Sequence, residues 1–187
     1  MRIISGKSKG KKIIEPKDFN TRPLKDLTKE SIFNIIAHSN KFNIELEGSK
    51  VLDLFSGVGS FGLECLSRGS TNVEFVENYK NVLPILRKNI STLNYQNNTL
   101  IIENDIFNQL NFNIFMNKFD IIFIDPPYKE KNLSKLIMNI FEAKVLNRNG
   151  IIIIHRHKKE KEEFPDKLNI IEEKTYGISR VIFGNFF

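Results

Sequence analysis

From Lys50 onward the chain alternates short apolar runs with helical stretches, and that alternation limits the folds open to it more than any other feature. Val51 to Phe55, Val73 to Val76, Leu100 to Ile102, Ile121 to Ile124 and Ile151 to Ile154 are apolar runs of strand length. The segments between them, such as the one from Leu63 through Leu66 and the one from about Lys80 to Leu93, read as helices. Runs this continuously apolar belong to strands buried on both faces, with the helices as crossovers of a parallel sheet. The last two runs break the pattern. Leu168 to Glu173 and Arg180 to Phe183 are joined around Tyr176-Gly177, too few residues for a helical crossover, and so form an antiparallel hairpin at one edge.

The expected fold is therefore α/β: a Rossmann-like, doubly wound, mostly parallel seven-stranded sheet with an antiparallel C-terminal hairpin, preceded by a short N-terminal basic arm and a helix. Leu27 to His38 is that helix, with Ile32, Ile35 and Ile36 at helical spacing, and Pro23 marks its boundary with the arm. The expected organisation is residues 1–40 for the arm and helix and 41–187 for the sheet domain. A length of 187 residues, 41% hydrophobic and 27% charged, suits one globular domain with an appendage. No apolar run is long enough to span a bilayer, and the basic start lacks the apolar core of a secretory signal, so the expected location is cytoplasmic. Cys65 is the only cysteine; it excludes an internal disulfide and a thiolate zinc site and reads as a small core residue. Nothing suggests more than a monomer.

The net charge of +6 favours a polyanionic partner. The arm concentrates it: Arg2, Lys7, Lys9, Lys11, Lys12, Lys17 and Arg22 are opposed only by Glu15 and Asp18. A charge run is also what a solvated face looks like, and from charge alone the two readings are evenly matched. Lys158 to Glu163 reads as a solvated turn or helix.

Two places carry chemistry. The first is Asp53-Leu54-Phe55-Ser56-Gly57-Val58-Gly59-Ser60-Phe61-Gly62, a G-x-G-x-x-G turn after the first strand, which lets a ligand approach the backbone at a helix start. Glu77 ends the second strand about twenty residues on, where a carboxylate can accept both hydroxyls of a ribose. The competing reading makes Glu77 a solvated strand end and Asp53 a helix cap. Asn104-Asp105 after the third strand stands on the same rim. Asp105 can accept from an adenine amino group with Ile106 against the ring, or cap the next helix, or both.

The second place is Asp125-Pro126-Pro127-Tyr128, directly after the fourth strand. Two prolines cannot extend a ladder and fix the backbone as a rigid excursion. The lone pair of an aryl amine is delocalised into its ring and is a poor nucleophile. The Asp125 carboxylate and the Pro126 carbonyl can both accept from such an amine and localise the pair, while Tyr128 offers a face for an unstacked base. Transfer would then rest on positioning and electrostatics, with no metal required.

Strand, glycine loop, acidic residue and D-P-P-Y in this order resemble the amino-methyltransferases of nucleic acids. The opening Met1-Arg2-Ile3-Ile4-Ser5-Gly6-Lys7-x-Lys9-Gly10, then Thr21-Arg22-Pro23 with Glu30-Ser31-Ile32-Phe33-Asn34-Ile35, and the Tyr176-Gly177 hairpin resemble the bacterial 16S ribosomal RNA guanine-N2 methyltransferase family over nearly the whole chain. The resemblance implies methylation of guanine N2 in small-subunit ribosomal RNA, at the position usually numbered 966, with S-adenosylmethionine as cofactor. It implies Asp53, Phe55, Ser56, Gly57, Gly59, Glu77, Asn104, Asp105 and Ile106 as cofactor residues and Asp125 to Tyr128 as the catalytic set. It implies RNA contacts from Arg2, Lys7, Lys9, Lys11, Lys12, Thr21, Arg22 and Pro23. Val58 stands where the family more often has a smaller residue, and His155-Arg156-His157 where an acidic residue is more usual; the histidines read either as phosphate contacts or, the favoured reading, as ordinary polar residues at a strand end. The other readings are a DNA adenine-N6 methyltransferase, which normally needs a recognition domain this chain has no room for, a non-catalytic RNA-binding assembly factor, and a nicotinamide-dependent reductase, which leaves D-P-P-Y and the arm unexplained.

Overall fold

A computed structural model describes residues 1–16, 24–108 and 110–187. Thr21, Arg22 and Pro23, and with them the boundary expected at Pro23, lie outside the described residues. After the arm come α1 (Asp26–His38), β1 (Lys50–Leu54), α2 (Ser60–Ser67), β2 (Asn72–Glu77), α3 (Leu83–Thr92), β3 (Thr99–Glu103), β4 (Phe119–Ile124), α4 (Leu133–Ala143), β5 (Leu146–His157), β6 (Asn169–Tyr176) and β7 (Ser179–Asn185). The seven strands form one sheet in the order β3-β2-β1-β4-β5-β7-β6. The first five are parallel, and β7 lies antiparallel between β5 and β6. Strand order reverses between β1 and β4, so their carboxyl ends open the crevice in which ligands of such sheets bind.

Successive strand residues point to opposite faces, and both faces are apolar. Val51, Phe75, Ile121, Phe123, Ile151 and Ile153 pack with Phe33 of α1 and Phe61 of α2. Leu52, Leu54, Val76, Ile122, Ile124 and Ile152 pack under Leu136, Ile137 and Ile140 of α4. Cys65 belongs to the first layer and is fully buried, and burial pushes its thiol well above the ordinary range. No helix among the described residues is long and apolar enough to cross a membrane.

Three local readings are corrected. The third helix begins at Leu83 rather than near Lys80, because Pro84 occupies its first turn, where a missing N–H costs nothing. His155 to His157 do not follow β5 but lie within it, paired with Val181, Arg180 and Ser179 of β7. Glu162, in the run expected to be solvated, turns inward to pair with Arg156 and Arg180.

The first sixteen residues double back on themselves. Ile3 N donates to Lys11 O at 2.9 Å and Gly10 N to Ile3 O at 2.9 Å. Ile3 and Ile13 enter the same apolar layer as Val51 and Phe61. The buried Glu64 of α2 accepts from Ile4 N at 2.7 Å and Ser5 N at 2.9 Å, while Ser8 Oγ meets Tyr95 Oη at 2.8 Å. Lys29 of α1, wholly buried, donates to Arg2 O at 2.8 Å beside Glu64. Burial lowers its pKa against the pull of that carboxylate. The basic arm is thus a docked element whose Arg2, Lys7, Lys9, Lys11 and Lys12 side chains remain exposed.

Candidate active site

The turn after β1 carries the first part of the site. Phe55 leaves the strand at φ 60 and Gly57 and Gly59 follow at φ 54 and 82. A left-handed phenylalanine costs about 1–3 kcal/mol, offset here by packing of its ring against Phe107 at 5.5 Å. Ser56 Oγ donates to Asp53 O at 2.7 Å and Val76 O at 3.0 Å, tying the ends of β1 and β2 together; its hydroxyl is engaged with the protein's own backbone. At Gly57 the space where a Cβ would sit is open, whereas at Gly62 it would lie 2.4 Å from the Phe75 ring. The first glycine therefore admits a ligand, and the last admits β2 against α2.

Three carboxylates face one cavity of about 280 Å³, together with Phe55, Gly57, Phe61, Tyr79 and Pro127. Glu77 accepts from Gly57 N at 2.7 Å, Asn78 N at 2.9 Å and Tyr79 N at 2.8 Å, so it is an organiser of the rim rather than a solvated strand end. Asp53 accepts from Gly62 N, in the first turn of α2, at 3.0 Å and lines the cavity as well. Burial pushes its carboxyl well above the ordinary range, the Gly62 N–H opposes that shift, and the nearby charges of Asp125 and Glu77 add to it. No lysine or arginine lines the cavity among the described residues.

Asn104, Asp105 and Ile106 are not among the residues lining that cavity. Asp105 caps the turn that follows it, accepting from Phe107 N and Asn108 N, both at 2.9 Å, and meets Asn78 Nδ2 at 3.1 Å. Those donors hold its carboxyl below the usual range, and Ile106 is buried in the second apolar layer.

Just past the end of β4, Asp125 and Pro127 also line the cavity. The tetrapeptide is braced by two residues of β5. His155, 6% exposed, places Nδ1 at 2.8 Å from Asp125 Oδ1 and Nε2 at 2.9 Å from Ser179 Oγ. Arg156, 1% exposed, donates to Pro127 O at 3.0 Å, Tyr128 O at 3.1 Å and Glu130 O at 2.9 Å, its charge met by Glu162. His157 meets the Tyr128 ring edge-on at 5.1 Å. Sequence reasoning passed over His155 and Arg156 as strand-end residues. Their one visible signal was two ionisable side chains interrupting an isoleucine run, with nothing local to say what they face.

The whole chain has relatives. A family model described as "Conserved hypothetical protein 95" matches residues 1–185. A Bacillus subtilis protein named as an rRNA methyltransferase is 34% identical over 97% of this chain and 96% of its own. The ribosomal RNA small subunit methyltransferase D of Haemophilus influenzae is 30% identical over 95% and 90%. The chain belongs to the methyltransferase D family. A solved Haemophilus influenzae structure described as a methylase superposes with a TM-score of 0.75 at 29% identity, covering all of this chain and 98% of that one. Within this family member, the five described basic residues of the arm stand together on the docked hairpin, and the arm reaches the cavity at Pro16, one of its lining residues. Among the described residues no cluster of three or more histidine, cysteine or acidic side chains is arranged to hold a metal.

Proposed function

We propose that the chain transfers a methyl group from S-adenosylmethionine to the exocyclic N2 amine of a guanine in 16S ribosomal RNA, on the small subunit or its assembly intermediate. The observation that carries this reading is the acidic lining of the cavity: Glu77 and Asp125 line it, the carboxyl group of Asp53 stands between them as a further acceptor, and no cationic side chain among the described residues lines it. Such a pocket suits a ligand with cationic centres and a ribose, and repels the pyrophosphate of a dinucleotide. That disfavours the reductase reading on physical grounds. The names of the relatives support the substrate.

In this reading Glu77 holds the ribose, Asp53 the methionine end, Phe55 packs beside the nucleoside and the open face at Gly57 admits it. When bound, the cofactor supplies a methyl group made electrophilic by a sulfonium. The chain's own residues prepare the other partner. Asp125 and the Pro126 carbonyl accept from the amine, Pro126 and Pro127 hold those acceptors rigid, and the Tyr128 ring takes the extruded base. Arg156, by gathering three carbonyls of the loop, keeps Pro127 and Tyr128 in one conformation. The exposed lysines of the arm meet RNA phosphates.

The test is transfer of labelled methyl from S-adenosylmethionine to small subunits from cells lacking this protein, followed by nucleoside analysis. N2-methylguanosine at one site is the expected product. N6-methyladenosine would keep the site chemistry and overturn the substrate, and no transfer despite binding would favour the non-catalytic assembly factor.

A further inference from the structure

His155 is more than filler at the end of a strand. Its ring is buried, both nitrogens are engaged, and one engagement is with Asp125, the carboxylate of the D-P-P-Y segment. An ionised carboxylate can only accept, so the proton in the 2.8 Å contact with Asp125 sits on Nδ1. A neutral ring protonated on Nδ1 has a lone pair on Nε2, and Ser179 Oγ at 2.9 Å is placed to donate to it. The carboxylate thus fixes the proton on Nδ1, the hydroxyl, able to donate or accept, anchors the far side of the ring, and the ring so held sets the orientation of Asp125, as an outer partner fixes a ligating or catalytic side chain elsewhere.

Resting on the methyl-transfer reading, we propose that His155 is a positioning residue for the reaction: it holds Asp125 Oδ1, leaving Oδ2 to accept from the amine, with Ser179 anchoring the other ring nitrogen. Because Nδ1 already carries its proton, His155 is not the base that takes a proton from the amine. Three elements meet in this device, the end of β4, β5 and the first residue of β7. The C-terminal hairpin therefore reaches the reacting group through one serine.

Two measurements test it. In nitrogen-15 NMR of the whole protein without ligands, the His155 ring should carry a proton on Nδ1, with a hydrogen-bonded N–H resonance that disappears in Asp125→Ala. A ring protonated on Nε2 alone, or an Nδ1–H resonance indifferent to Asp125→Ala, overturns the proposal. In single-turnover transfer to small subunits, His155→Ala should lower the rate about tenfold to hundredfold while leaving the affinity for S-adenosylmethionine unchanged. His155→Asn, whose amide N–H replaces Nδ1–H, should restore most of it, and His155→Gln, whose amide falls at the Nε2 position, should not. Equal rescue by both amides, a wild-type rate in His155→Ala, or losses that track the thermal midpoints of the three variants overturn it. A wild-type protein with the NMR signature but no transfer to subunits would count against the substrate reading, not against the bond.

Discussion

Asp53 is a carboxylate the fold keeps at a cost. It is buried, it faces Asp125 and Glu77, and a single backbone N–H compensates it. A raised folded pKa means that the native state holds a proton at pH values where the unfolded chain has released it. The stabilisation from that proton is complete below the ordinary carboxylate value and is lost as pH rises through the raised one. Asp53→Asn keeps an acceptor for Gly62 N and has no charge to bury. Its stability relative to wild type should rise as pH climbs from the ordinary carboxylate range through the raised value in urea unfolding, while its affinity for S-adenosylmethionine falls. A pH-independent difference would show that Asp53 is not held protonated. At Asp125 the expectation differs, because its part is to accept. Asp125→Asn, which retains an acceptor oxygen, should keep measurable transfer where Asp125→Ala keeps far less; equal losses in single-turnover assays would remove that role. Asp125 was legible because its surroundings are sequential, an acid and two prolines after an apolar run. His155 was not, because its partners lie 30 and 24 residues away in opposite directions, a separation that local pattern does not carry.

Helix α2 shows how one element serves both packing and ligand. The turn that leads into it opens to the cavity at Gly57, while Gly62 presses against Phe75 and Val73 of β2. Gly62→Ala should destabilise the protein by about 1–3 kcal/mol, the usual cost of overpacking, measured by thermal unfolding; an unchanged midpoint would mean that β2 yields freely. Four of the five parallel strands were readable because burial on both faces writes continuous apolar runs into them; β3, a half-exposed edge strand, shows only the short run Leu100 to Ile102. β5 was read too short at both ends for the same reason in reverse. His155 to His157 are polar, and what makes them strand is pairing with β7 rather than any property of their own, while Asn147 to Gly150 fall where the register with β4 is irregular, between Leu146 opposite Phe119 and Ile151 opposite Ile121. The docking of α1 was equally hidden: Lys29 looks like a surface lysine until Glu64 and Arg2 O are brought to it by the fold.

Across the whole molecule, charge is divided. The cavity is acidic, while the hairpin of the first sixteen residues displays Arg2, Lys7, Lys9, Lys11 and Lys12. Replacing Lys7, Lys9, Lys11 and Lys12 together by alanine should weaken binding to small subunits and flatten its dependence on salt, by about 0.7–0.9 in log–log slope for each phosphate no longer neutralised. These side chains are exposed, so the unfolding midpoint and the affinity for S-adenosylmethionine should stay as they were. An unchanged salt slope would make the arm a bystander to RNA. The basic composition of the arm was visible in sequence, but its rigidity was not, since the anchors that impose it are Glu64, Ser67 and Tyr95.

Those anchors also set an order of events during synthesis. Ile4 and Ser5 are held by a carboxylate 60 and 59 positions further on, and Ser8 by a hydroxyl 87 positions further on. At the usual ~5–20 residues per second of chain elongation, the basic segment emerges several seconds before anything exists to hold it. It is made early and set late, and its positive charge spends that interval on an unstructured chain.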